Sequence, residues 1–137
     1  MSFVVDASFA AAWCFEDEVT ANTEKMFRQA RDRGIVIPMI WYYEMANVIR
    51  TAERRERISR ENGDYFLSVL RHLAAQDDDF DRERIWIDVL QIARKHNLTV
   101  YDAGYVELAA RTELPLASRD KEMIVAALAE GIEIIPA

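Results

Sequence analysis

Asp6, Glu44, Asp102 and Asp120 each sit just beyond, or inside, an apolar segment, where a solvated charge is out of keeping with its neighbours. Four such carboxylates form an oxygen-only donor set. That set favours a hard divalent cation, Mg2+ or Mn2+, over zinc, for which Cys or His is more usual. Other chemistry is scarce along the chain. There is no Gly-rich dinucleotide fingerprint, Walker loop, nucleophile elbow or paired-His zinc motif, and four glycines leave little room for phosphate-cradling loops.

Each acid alone has two readings. Asp6 follows the apolar run Phe3-Val4-Val5 and is either a turn or cap residue or a ligand; Ser8 can supply the cap instead. Asp102 stands three residues after Thr99, as in a capping box, and Asp120 is placed to start a helix, with Ser118 as a second cap candidate. Glu44 is harder to explain structurally. It shares a helical face with Trp41, Met45 and Val48 and lies beyond the first turn after Pro38, where neither capping nor the helix dipole accounts for it. Asn47, on an adjacent part of that face, can orient a carboxylate or a water molecule.

These acids need a scaffold to bring them together. The chain has 137 residues, 51% of them hydrophobic, which fits one compact domain over residues 1–137. No apolar run reaches the ~20 residues of a membrane span, and a lone Cys14 excludes an internal disulfide, so the expected setting is the cytoplasm without membrane association. A formal net charge of −7 argues against nucleic-acid binding through a broad cationic surface and counterion release alone. Any contact with phosphate must be local, and a bound cation would reverse the sign inside an acidic pocket.

Strands are expected at Phe3–Val5, Ile35–Ile37, Leu114–Ala117 and Ile132–Ile135, with a possible short one at Phe80. Helices are expected over Phe9 to about Phe15, capped by Ser8, and over Val19–Arg33, stopped by Gly34. Others run from Pro38 to about Arg57, after Ser59, through Ser68–Ala75, around Ile85, Trp86, Val89, Ile92 and Ala93, from Thr99 to Thr112, and over Asp120–Glu130. This alternation favours an α/β fold, a parallel sheet covered by helices, with ligands gathering beyond the carboxyl ends of the strands. Asp6 and Asp120 fall at such ends.

The segments Val4-Val5-Asp6-Ala7-Ser8, Glu44-Met45-Ala46-Asn47, Tyr101-Asp102-Ala103-Gly104-Tyr105 and Pro115-Leu116-Ala117-Ser118-Arg119-Asp120 resemble, in order and spacing, a PIN-domain nuclease. Within that family they look like the VapC toxins of bacterial and archaeal type II toxin-antitoxin systems, and the resemblance covers essentially the whole chain. It implies a PIN-like three-layer α/β/α sandwich with a short, mostly parallel sheet. It also implies an Mg2+-dependent endoribonuclease, with Mn2+ as substitute, that leaves 5′-phosphate and 3′-hydroxyl ends. Asp6, Glu44, Asp102 and Asp120 would be catalytic, with Asp6, Asp102 and Asp120 on the metal and Ser8, Asn47 and Ser118 in support. Ser118 stands where the family often has Thr. The implied partners are an RNA substrate, a cognate antitoxin and a second copy of the chain.

Basic residues near these motifs are candidate phosphate contacts: Arg50, Arg54 and Arg57 on the helix beyond Glu44, and Arg119 and Lys121 beside Asp120. Glu53 and Glu56 interleave with the first three, so an ion-paired face is the competing reading. Asp77, Asp78, Asp79 and Asp81 lack the Gly of a calcium loop, and Asp81 is expected to cap a helix. His72 and His96 form no ligand pattern. Trp13, Trp41, Tyr42, Tyr43 and Trp86 read as core or interface residues. Two other functions remain in view: a non-toxin PIN module that binds RNA or protein, and a receiver-like phospho-acceptor domain, which needs a lysine near the last strand that Ile132–Ala137 lacks.

Overall fold

The computed structural model describes residues 1–137. Five short strands make one sheet: β1 (Phe3–Val5), β2 (Ile35–Ile37), β3 (Ala75–Asp77), β4 (Leu116–Ala117) and β5 (Ile134–Ile135), in the order β3-β2-β1-β4-β5. Every pairing is parallel, with Val4 opposite both Val36 and Leu116. β1 is central and all three of its residues have no solvent exposure. Side chains alternate between faces along a strand, so a strand buried at every position must be covered on both sides. That coverage is the three-layer sandwich. The order also differs from the 2-1-3-4-5 of receiver domains, which removes the receiver reading.

The covering helices are α1 (Ala7–Ala10), α2 (Ala21–Arg33), α3 (Ile40–Arg54), α4 (Arg60–Arg71), α5 (Arg82–Arg84), α6 (Leu90–His96), α7 (Val100–Thr112) and α8 (Lys121–Ala129). α7 lies against β1 and β4, while α3 packs on α1 and α4. Caps at Thr20, Ser59, Asp81, Thr99 and Asp120 each accept a backbone N–H from the first turn of the helix they start. None of these helices is long and apolar enough to cross a membrane.

Several sequence expectations need correction. The cap of α1 is Asp6, whose Oδ1 accepts the Phe9 N–H at 3.0 Å, and the helix tightens to a 3-10 turn at Ala11–Trp13. Ser8 lies inside the helix instead. The strand after α4 is Ala75–Asp77 rather than Phe80, which is 70% exposed. An edge strand with all three residues exposed carries no apolar alternation to read. The helix around Ile85 contains a π-helical segment, Ile85–Val89, which shifts the register of side chains so that Trp86 is 64% exposed while Val89 stays buried.

Gly34 joins α2 to β2 with φ +101° and ψ 166°, a region that only glycine occupies readily, and a Cβ there would stand 2.8 Å from the Ala74 carbonyl oxygen. That carbonyl already accepts the Ile35 N–H at 3.0 Å, which aligns β2 with β3. Gly34→Ala is therefore expected to lower unfolding free energy by roughly 1–3 kcal/mol in urea denaturation, through backbone strain.

Candidate active site

The strand order reverses between β1 and β4, because β1, β2 and β3 run outward on one side and β4 and β5 on the other. Loops diverge at such a point and leave a crevice beyond the carboxyl ends of the two strands. β1 delivers Asp6 to that crevice and β4 delivers Ser118, with Asp6 N–H bonded to Ala117 O at 3.1 Å. α3 brings Glu44 to the same place, and the first turn of α7 brings Asp102.

Asp6 is 3% exposed and held from several sides. Phe9 N–H donates to Oδ1 at 3.0 Å, Ser118 Oγ to Oδ2 at 2.7 Å, and Ser8 Oγ lies 2.8 Å from both oxygens. The directions of these bonds are fixed by what the hydroxyls receive. Ser8 Oγ accepts the Arg119 N–H at 2.9 Å and Ser118 Oγ accepts the Asp120 N–H at 3.0 Å, so each hydroxyl is free to give its own proton to Asp6. Three donors on a carboxylate with about four lone-pair sites leave room for one further electrophile.

The other acids are less confined. Asp120 caps α8 through Met123 N–H at 2.9 Å. Glu44 Oε1 accepts the hydroxyl of Tyr105 at 2.5 Å, which ties α3 to α7 and leaves Oε2 without a protein donor. Tyr105 belongs to the Tyr101–Tyr105 motif, where no role attaches to it from sequence; its signal is a position three residues after Asp102, on the same side of α7.

Burial raises the pKa of Asp6, Glu44 and Asp102 above ordinary carboxylate values, and mutual repulsion adds to it. Asp102 is the common neighbour: it repels Asp6 and Glu44 and is itself raised by Asp120. Hydrogen bonds from Phe9, Ser118 and Ser8 pull Asp6 the other way, and Tyr105 does so for Glu44, without overcoming burial. None of the four acids has an ion pair. The contrast with Glu107 is informative. That buried acid is bonded to Arg111 at 2.8 Å and lies 3.8 Å from Arg84.

As the side chains stand, no three His, Cys, Asp or Glu residues converge tightly enough to hold a metal ion. The chemistry of the donors nevertheless fits a hard cation: oxygen ligands only, mutual repulsion, and no protein cation to relieve it. Asp6, Asp102 and Asp120 would hold it, with Glu44 beside them.

Of the supporting candidates, Ser8 and Ser118 both bond to Asp6. Asn47 is exposed and lines a hollow with Glu18, Thr51 and Arg57. Arg50 pairs with Glu53 at 3.5 Å, while Arg54 and Lys121 have no ion pair. Arg57 is bonded to Asp17 and Glu18 and covers the Phe15 ring at 3.9 Å. Arg119 is bonded to Ser8 O and Glu18. Asp81 caps α5 as expected. His72 meets Ser68 O, and His96 meets Glu130 at 3.0 Å. Trp41 is core, whereas Tyr43 and Trp86 are exposed.

A protonated carboxyl is favoured in the folded chain wherever its pKa is raised, so ionisation of Glu44 costs stability above that raised value and the cost vanishes as pH falls to its ordinary 4.5. Glu44→Gln keeps an acceptor for Tyr105 and removes the charge. In metal-free protein it is expected to raise the thermal midpoint at pH 7 by about 3 °C, with the gain shrinking toward pH 4.5 in paired melting curves.

The family model described as PIN domain matches residues 3–129. Ribonuclease VapC3 of Pyrobaculum aerophilum is 28% identical over 123 residues, covering 90% of this chain and 92% of that protein. The fold is similar to the crystal structure of PAE2754 from the same organism, with a TM-score of 0.72 at 24% identity, covering 98% of this chain and 84% of that one. With the parallel sheet, the acids at its switch point and a match that spans nearly every residue, the chain belongs to the PIN-domain family.

Proposed function

We propose that this protein is a Mg2+- or Mn2+-dependent endoribonuclease that hydrolyses RNA phosphodiester bonds, acting as the toxin of a toxin-antitoxin pair. The observation that carries the reading is the set of four unpaired carboxylates at the sheet's switch point, in a chain whose buried Glu107 does have arginine partners. The ribonuclease name of its curated relative supports the substrate class and the toxin role. A single cytoplasmic domain that pairs with itself and is blocked by a cognate antitoxin completes the proposal.

When bound at Asp6, Asp102 and Asp120, the cation supplies Lewis-acid stabilisation of charge on the phosphodiester oxygens. The chain's own residues do the rest. Ser8 and Ser118 hold the Asp6 carboxylate in one orientation, so no rearrangement is needed as charge develops. Tyr105 fixes Glu44 by Oε1 and leaves Oε2 to take a proton from the attacking water, a task suited to a carboxyl whose proton affinity is raised by burial. Arg50 and Arg54 contact backbone phosphates along α3; Arg119, at the rim, has Nη1 as its uncommitted nitrogen.

Purified protein incubated with total RNA and Mg2+ or Mn2+ is expected to cut it, to stop in chelator, and to lose at least about 100-fold in rate as Asp6→Asn or Asp102→Asn, on the scale of removing one electrostatic group from a catalytic site. Equal cutting by wild type, both variants and the chelated sample would refute the assignment.

A further inference from the structure

Arg119 lies between the two serines that serve Asp6 and the acid Asp120, and its bonds go inward rather than to solvent. Its N–H donates to Ser8 Oγ at 2.9 Å, Nε to Ser8 O at 2.5 Å and Nη2 to Glu18 Oε1 at 2.6 Å. Glu18 passes the connection on, since its Oε2 accepts from Arg57 Nη2 at 2.8 Å, and Arg57 also bonds Asp17 and covers Phe15. Four separate segments meet in this chain of bonds: the start of α1, the 3-10 turn Glu16–Glu18, the residues after α3 and the β4–α8 loop. Both Glu18 and Arg119 are half-buried, with side-chain exposures of 23% and 30%, so the pair is partly screened by solvent.

We propose that Arg119, with Glu18 as its fixed counter-ion, is a positioning residue for the metal-dependent reaction: it clamps Ser8 so that the serine hydroxyl holds Asp6 in its ligand orientation. The geometry carries the step from clamp to site. The backbone N–H at position 119 holds the Ser8 hydroxyl, and the Arg119 side chain, through Nε, holds the Ser8 carbonyl, so the side chain fixes the turn of helix that keeps Ser8 Oγ within reach of both that N–H and Asp6. That hydroxyl is one of three donors on Asp6. The same loop carries Ser118 and Asp120, so the clamp also ties that loop to the start of α1. A lysine cannot replace it, because one ammonium lacks the planar fork that reaches Ser8 O and Glu18 together. Arg119 is then not a phosphate contact, although its position in the sequence suits one equally well.

The proposal rests on the nuclease reading, and Glu18→Gln separates the two. Glu18→Gln and Arg119→Lys are expected to weaken Mn2+ binding about 5-fold or more, measured by electron paramagnetic resonance titration, and to lower kcat about 10-fold with KM for RNA within 2-fold of wild type. A phosphate-binding Arg119 gives the opposite pattern: Glu18→Gln leaves kcat intact and lowers KM, Arg119→Lys stays near wild type, and Arg119→Gln reduces the log-log salt slope of RNA binding by about 0.7. That pattern overturns the clamp, as does a lowered thermal midpoint with Mn2+ affinity and kcat unchanged. If wild type cuts no RNA, the nuclease reading fails alone, and the clamp is decided by hydrogen exchange at the Phe9 and Arg119 amides, faster in Glu18→Gln if it stands and unchanged if it does not.

Discussion

Repulsion among carboxylates that the fold forces together is the constraint from which the site follows. A parallel sheet whose order reverses at its centre places the ends of β1 and β4 side by side, and this chain puts Asp6 at one and Asp120 just past the other. Helices α3 and α7 add Glu44 and Asp102 to the same crevice. Folding alone would gain nothing from this: like charges at close range disfavour their own ionised forms, and burial compounds the effect. A chain under selection for stability alone would replace at least one of them by an amide or give it an arginine, as it does for Glu107.

Asp6 shows why a structural role and a site role need not compete. As the N-cap of α1 it offers Oδ1 to the Phe9 N–H, the ordinary reason for an acid at a helix start. The same bond fixes the plane of the carboxylate, and Ser8 and Ser118 then hold the remaining side. Asp120 repeats the pattern at α8, with Oδ1 on Met123 N–H. Capping spends one lone pair and in return orients the others, so an acid that begins a helix beyond a strand end is already positioned for a ligand.

The sequence showed the parts of the molecule that carry strong local signals. β1 and β2 are apolar triplets followed by a polar residue, and Thr99 and Ser59 cap their helices where expected. Edge strand β3 has no such signal, since Ala75, Gln76 and Asp77 are all exposed and owe their conformation to pairing with β2 alone. The π segment at Ile85–Val89 breaks the 3.6-residue period that would place Trp86 on the apolar face with Val89. At the site, the four acids could be picked out because each clashes with an apolar context. Tyr105 and Glu18 could not, because a tyrosine in a helix or a glutamate in an acidic turn is unexceptional until its partner, sixty or a hundred residues away, is known.

The placement of cations bears on how a protein of net charge −7 would handle a polyanion if the proposed function holds. Arg84 and Arg111 are bound up with Asp78 and Glu107 on one part of the surface, and Arg57 and Arg119 with Asp17 and Glu18 on another. Arginines held in this way lend rigidity more than attraction, because their charge is already answered. The four site acids receive none of them, so under the proposed function attraction for phosphate at the crevice would come through a bound cation, with exposed residues such as Arg54 beside it. Affinity and chemistry are then coupled at one point. On the proposed reading the crevice would repel RNA without the cation, and with it the same four carboxylates would become the reason that RNA is drawn there.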